Sequence, residues 1–578
     1  MTINVAQAIV AMLKAYEVRY IFGVPGDTSL PFYDALHESR DGITHIMARD
    51  ERGASYMADV YARLSGRPGV CEAPSGAGAL YLIPGLAEAN ASSIPVIAFT
   101  SDIPLESEGR NVLTELNQGQ LFESVTKWHT TLKHAERTSE VMRKAFRLAT
   151  TGRPGSVQIT LPEDVLEEQV GYEDFYAEPS CRIFPAYRTA PEMEAVAHAA
   201  GLLLQAKRPV IVAGGGAAIS GAWAEITELA EILSLPVGTS INGQGSIDET
   251  HALSLGVVGG NGARPYANEV AAAADLVLFV GCKTDSVTTL NWTLPTNHGA
   301  VTVIQVDVDP AEIGNTYPVS VGLVGDARST LRSLIAAIKD HLRAADGDGG
   351  REPWADFTAL RTAWLASEEP KMSSSASPLK PQRVMRALQR LLPPNSIIVA
   401  DAGTGTPFTS AFYPSPAGRH VIIPRGYGGL GYALPGVVGA KLARPNAPVI
   451  GLVGDGSFAM ACGDLETIAR LNLPVVLIQF NNASFGWIKT LQHLYKDKRY
   501  LSVDFSADTD YAAIAQGFGV CGVRVTNADD LEPALKTALA SDRPTFIDVV
   551  TESEVTEIPP VEKWLKAAAE QEATVGSD

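Results

Sequence analysis

The sequence predicts an α/β protein built from three doubly wound, parallel-sheet units. Three observations carry this. Short apolar runs alternate with helix-patterned stretches along the chain. Many of those runs end in a glycine-bearing loop, where open parallel sheets present ligands. Two composition shifts, at 171–190 and 344–381, divide 578 residues that are too many for a single core.

The first unit spans 1–170. Val5, Ile9, Met12, Leu13 and Tyr16 fall at helical spacing, which predicts a mature amphipathic helix rather than a signal peptide. A strand over 18–23 runs into the loop of Pro25, Gly26 and Asp27, and a helix follows over 30–37. A strand over 43–47 leads to Asp50-Glu51-Arg52, which places Glu51 at a strand end. The helix over 54–65 is rich in small residues and suits close packing. Then come a strand over 69–73, the loop 74–79, a helix to about 89, and strands over 95–100 and 155–161. Residues 171–190 are irregular, with Pro179 and Pro185, and read as a linker.

The second unit, 191–345, has strands over 209–213, 276–281 and 301–308. The first runs into Gly214-Gly215-Gly216, which suggests a Rossmann-like sheet. Ile219 stands where a G-x-G-x-x-G fingerprint needs its third glycine, so a dinucleotide is not indicated. Residues 344–381 read as flexible links around a short helix. The third unit covers 380–550. The tail, 551–578, carries one helical patch over 561–570. Parallel strands with glycine loops recur in the first and third units, as two related halves would show.

The chemistry concentrates in the third unit. An apolar run over 448–453 leads into Gly454-Asp455-Gly456-Ser457. A helix over 464–471 and a second run over 475–480 deliver Asn481-Asn482, with Asn481 24 positions after Ser457. One carboxylate and one amide oxygen are thereby set on neighbouring strand ends. Two oxygen ligands, beside glycines that allow close approach, suit magnesium carrying a diphosphate. Gly-Asp-Gly alone is a common turn; its spacing from Asn-Asn makes the signal specific.

Bulk composition narrows the rest. A formal net charge of −19 argues against nucleic-acid and anionic-membrane partners. No run of about 18 apolar residues exists, so no membrane span is expected. Five widely spaced cysteines without a C-x-x-C indicate neither zinc nor a disulfide framework, and suit a reducing cytoplasm.

With these motifs in place, residues 4 to about 550 resemble the thiamin diphosphate (ThDP) enzymes of the acetolactate synthase, pyruvate oxidase and benzoylformate decarboxylase group. The pattern is most similar to acetolactate synthase large subunit-like proteins. The resemblance implies a pyrimidine-binding domain, a central domain and a diphosphate-binding domain, in that order. It implies that Asp455, Asn482 and the backbone oxygen of Ser484 hold magnesium. Gly456 and Ser457, with Gly403, Thr404 and Gly405, would cradle the diphosphate. Glu51 matches the family's glutamate, which bonds N1′ of the aminopyrimidine and favours its 4′-imino form, the base for the thiazolium C2 proton. Asp50 stands where many relatives have His. Pro25, Gly26, Ser75 and Gly76 match the pyrimidine side, and Tyr81 replaces a frequent asparagine. Leu430 falls where an apolar side chain bends the cofactor, and the Gly428 carbonyl would accept from its amino group. The resemblance also implies that Glu51 and the metal site act on one cofactor from two subunits, so a homodimer or homotetramer is expected.

Substrate is less legible. Pocket candidates are Pro25, Asp27, Thr28, Gln118, Trp487, Leu491 and His493, with Trp487 expected on a helix facing the cofactor. Val287 occupies a key arginine position of acetolactate synthases, which disfavours FAD and the usual pairing of pyruvate with a 2-keto acid. Pro74 stands where benzoylformate decarboxylase-like enzymes have histidine. The presence of Glu51 argues against the glyoxylate carboligase variant. The expected function is decarboxylation of a 2-keto acid and ligation of the enamine to a carbonyl acceptor. The alternatives are a 2-hydroxyacyl-CoA or hydroxyketone lyase, and a non-catalytic cofactor-binding subunit.

Overall fold

A computed structural model describes residues 2–39, 41–171, 175–296, 299–344 and 352–575. Its frame is three six-stranded sheets, all parallel, plus a two-stranded antiparallel ribbon of Thr2–Asn4 with Gln169–Gly171. The first sheet runs Thr44–Met47, Tyr20–Gly23, Gly69–Ala73, Val96–Asp102, Val157–Pro162, Trp128–Thr131. The last runs Val421–Ile422, Ile397–Ala400, Val449–Gly454, Val476–Asn481, Thr545–Val550, Cys521–Val525. Counted along the chain, both have the order 2-1-3-4-6-5, so the first and last sheets share one topology. The middle sheet has the order 3-2-1-4-5-6, that of dinucleotide-binding folds.

Sequence explains the strands. Pro209–Ala213 (PVIVA) and Leu276–Val280 (LVLFV) are buried at every position. Such continuous apolar runs suit a parallel sheet covered on both faces. Trp128–Thr131 (WHTT) is only half-buried and polar, so no apolar run announces this edge strand. The helix expected through 89 is two helices, Ala77–Tyr81 and Ile83–Ala91, because a proline falls in the second one's first turn. The short helix expected inside 344–381 is a 16-residue one, Phe357–Met372, and the tail patch is Glu562–Val575. Part of that link, 345–351, lies outside the described residues.

The first and third domains meet along helices Glu51–Ser65 and Ala433–Ala443. Contact is close because small residues line it. A Cβ on Gly439 would collide with the Met57 carbonyl, and one on Gly436 would lie 3.1 Å from Val60. No helix among the described residues is long and apolar enough to cross a membrane.

Candidate active site

Two clusters of predicted residues form, each at the C-terminal ends of one sheet. The first surrounds Glu51. The strand Thr44–Met47 stops short of it, Asp50 caps the next helix by accepting from the Arg52 N–H at 2.7 Å, and Glu51 is that helix's first residue. Its predicted place at a strand end is corrected accordingly: the cap starts the helix three residues before the expected 54. Glu51 Oε1 lies near the loop after Gly69–Ala73, 3.1 Å from where a Gly78 Cβ would be. Burial, then the charges of Asp50 and Glu72, push its carboxyl above the usual range.

Gly26 abuts Pro74, and Thr28 joins the same floor. Ser75 N–H donates to Thr28 Oγ1 at 3.1 Å, Thr28 and Ser101 hydroxyls lie 2.9 Å apart, and Ser75 and Thr114 hydroxyls 2.7 Å apart. Gly76 needs its glycine, since φ is +63° and Thr114 sits 2.8 Å from a would-be Cβ. Pro25 and Asp27 are exposed. Gln118, a pocket candidate, is buried instead. It donates to the Ser101 carbonyl at 2.9 Å and accepts from Thr100, so its amide is turned into the domain rather than toward an open pocket.

The second cluster surrounds Asp455. The parallel register sets Gly454 beside Phe480, which brings Asp455 to the residues after Asn481. Asp455 Oδ2 accepts from Asn482 N–H at 2.9 Å and Ser484 N–H at 3.4 Å; Oδ1 accepts from Gln479 Nε2 at 2.7 Å. Ser484 Oγ donates to Asn482 Oδ1 at 2.9 Å. Burial outweighs these three bonds and pushes the Asp455 carboxyl up to about 6. Gly456 packs under Phe485, while Gly403, at φ +99°, has open space around it. Gly428 lies 3.9 Å from Ala402 measured from an added Cβ, and Gly431 approaches Ser457 and Ala461 likewise. Thr404, Gly428, Leu430 and Ser457 therefore share one neighbourhood. Gly405 opens helix Gly405–Phe412.

Sequence reasoning missed Glu554. This residue is buried, accepts from Thr404 Oγ1, and has the Asn482 amide beside it. Desolvation pushes it up to about 7. The available signal was an acid four positions past the strand Thr545–Val550, which adjoins the strand bearing Asn481. Asp401, at the end of strand Ile397–Ala400, is buried and accepts from Tyr432 N–H at 2.7 Å.

Three pocket candidates lie on the helix whose first residue, Gly486, stands against Asn482 and Glu554. Trp487, on helix Gly486–Tyr495, packs on Trp564 with ring centroids 4.3 Å apart, and Leu491 joins the same small core with Leu494 and Val561. Both pack toward the C-terminal helix Glu562–Val575, which gives that helix an apolar seat. His493 Nδ1 lies 2.7 Å from the Tyr500 hydroxyl, and desolvation lowers its pKa.

A cavity of about 510 Å³ lies where the three domains meet, lined by Gly214, Lys283, Val287, Asp307 and Arg425, and touches the second cluster at Gly428. Burial pushes Asp307 up to about 6. Raised pKa means the neutral form favours folding, so that contribution is lost as pH rises through about 6. Asp307→Asn is expected to stabilise the protein at pH 8, by up to roughly 3 kcal/mol, and to make little difference at pH 4. Thermal unfolding of both proteins at the two pH values checks this.

No hydrogen bond or ion pair among the described residues joins Glu51 to Asp455, Asn482 or Ser484 within one chain. Arg49 N–H does reach the third domain, donating to Asp464 Oδ1 at 3.0 Å.

Two residue clusters at the ends of like sheets, flanking a Rossmann-like domain, point to a class that comparison with known proteins shows. Residues 3–121 match the N-terminal TPP binding domain of thiamine pyrophosphate enzymes, 196–334 their central domain, and 401–549 their C-terminal TPP binding domain. The chain belongs to the thiamine pyrophosphate enzyme family. Among curated proteins it is similar to the probable acetolactate synthase large subunit of Methanocaldococcus jannaschii, 36% identical over 94% of this chain and 91% of that one. The Methanococcus aeolicus protein of the same name is 35% identical, covering 96% and 94%. Acetolactate synthase isozyme 3 large subunit of Escherichia coli is 31% identical, covering 95% and 94%.

Proposed function

We propose that this chain is a ThDP- and magnesium-dependent enzyme that decarboxylates a 2-keto acid and joins the remaining acyl unit to a carbonyl acceptor. The observation that carries the reading is the oxygen cluster of Asp455, Asn482 and Ser484 beside open glycine backbone, in a chain whose relatives are named for acetolactate synthesis. An all-oxygen donor set, with the buried and unpartnered Glu554 Oε2 next to it, fits a hard cation. Asp455 and Asn482 side chains and the Ser484 carbonyl would hold magnesium. Gly403, Thr404, Gly405, Gly456 and Ser457 would cradle the diphosphate.

ThDP supplies a thiazolium carbon nucleophile and an aminopyrimidine that serves as its base. Glu51 would hold and return a proton at N1′, and burial raises its carboxyl above the usual range. Pro25, Gly26, Ser75 and Gly76 would border the ring, Leu430 would pack beneath the cofactor, and the Gly428 carbonyl would accept from its amino group. As the family resemblance implies, a second copy of the chain would bring its Glu51 to the first copy's metal cluster, making a homodimer the least active unit. Val287 lines the central cavity, and the reading is a non-flavin one. Asp27 and Thr28 remain substrate candidates.

The test is product analysis by NMR, with labelled 2-keto acid donors, carbonyl acceptors, ThDP and magnesium. Carbon dioxide and a hydroxyketone ligation product in equal amounts are expected, from a protein without flavin absorbance. Aldehyde release from a hydroxyacyl-CoA or hydroxyketone, with no carbon dioxide from any 2-keto acid, would replace this reading with a lyase.

A further inference from the structure

We propose that Glu88 is a positioning residue of the active site, whose buried carboxylate clamps the backbone of residues 425–427 and so sets the place of Gly428 and Leu430. This rests on the assignment of those two residues to the cofactor.

Glu88 lies on helix Ile83–Ala91 of the first domain and is 1% exposed. Its partners belong to the third. Oε1 accepts from the N–H of Arg425 at 3.0 Å and of Gly426 at 2.9 Å; Oε2 accepts from Gly426 at 3.0 Å and Tyr427 at 2.8 Å. Three successive amides turned on one anion form a nest, and bonds to a charged acceptor in a dry setting are the stronger kind. Ser92 Oγ donates as well, at 2.8 Å, and Arg63 Nη2 at 3.3 Å. These partners overcome burial and hold the carboxyl below its usual range. Arg63 does not need Glu88 for its charge, because its Nε already bridges both oxygens of Asp59 at 2.9 and 3.1 Å.

The clamped loop has little else to fix it. Gly428 and Gly431 are both left-handed, at φ +66° and +77°, so the backbone here belongs to neither strand nor helix. Asp401 holds the far end through Tyr432 N–H. Gly428 and Leu430 thus lie between two buried carboxylates, one from each domain. Gly426 fits tightly under the helix: a Cβ there would stand 2.7 Å from Ala91 Cβ and 3.1 Å from Glu88 Oε2.

The test compares Glu88→Gln, Gly426→Ala and Leu430→Ala in the full chain. Glutamine keeps the size but offers the nest a single acceptor oxygen. Gly426→Ala lifts the loop with Glu88 intact, and serves if Glu88→Gln fails to fold. Either variant is expected to speed amide hydrogen exchange across 425–428 without added cofactor. Either is also expected to slow C2 proton exchange of bound ThDP at least about tenfold, while ThDP affinity changes far less. If Leu430→Ala slows C2 exchange and both loop variants leave it at the wild-type rate, Glu88 does not position the cofactor and the proposal falls. If Leu430→Ala also leaves C2 exchange unchanged, the assignment of the loop to the cofactor falls first and takes the proposal with it.

Discussion

Glu51→Gln is expected to leave ThDP bound and to slow exchange of its C2 proton by about two to four orders of magnitude. The side chain opens helix Glu51–Ser65, and the Asp50 cap fixes where that helix begins. Glutamine has the same length and keeps a hydrogen bond in reach of N1′, so binding survives. It cannot give up or take a proton, so the base that acts on C2 is not generated. Burial favours the protonated form of the wild-type carboxyl and raises its pKa, the direction that suits a proton donor at N1′. Quenched exchange followed by proton NMR reads the rate, and titration calorimetry reads the binding. Wild-type exchange in the variant would remove Glu51 from the mechanism.

Asp455→Ala is expected to weaken magnesium-dependent ThDP binding by about 100-fold or more, since even outer-shell changes at metal sites cost 10- to 100-fold. The carboxylate is the charged member of its oxygen cluster, and Gln479, Asn482 and Ser484 all orient it. Alanine also strands those buried donors, at a cost of about 1–3 kcal/mol each. Asp455→Asn separates the two effects: it preserves shape and removes charge. If charge is what matters, asparagine loses binding nearly as fully while unfolding close to the wild-type temperature. Unchanged affinity in both variants would mean that the Gly-Asp-Gly loop does not hold the metal.

What could be read from sequence follows from how far apart the partners lie. Asp455 and Asn482 were legible because each ends a buried apolar run, and adjacent parallel strands bring run ends together. Glu51 was legible as a residue but not as a helix start, since the cap is a single side-chain bond between Asp50 and Arg52. Glu88 carries no local mark, and Glu554 only its place four positions past a strand. Their partners stand 339 and 150 positions away, at Tyr427 and Thr404, and only the folded domains join them. Trp487 and Leu491 look pocket-like in a helix after Asn482, yet the C-terminal helix covers them, and a polar tail hid that apolar face. Trp128–Thr131 was invisible because an edge strand needs no apolar run.

The most direct test of the central claim is carbon dioxide release from a panel of 2-keto acids by the purified protein with ThDP and magnesium, with and without a carbonyl acceptor. Release that depends on both cofactors, rises with acceptor and disappears in Glu51→Gln is predicted. A fully folded, ThDP-saturated protein that releases none from any 2-keto acid would contradict the account.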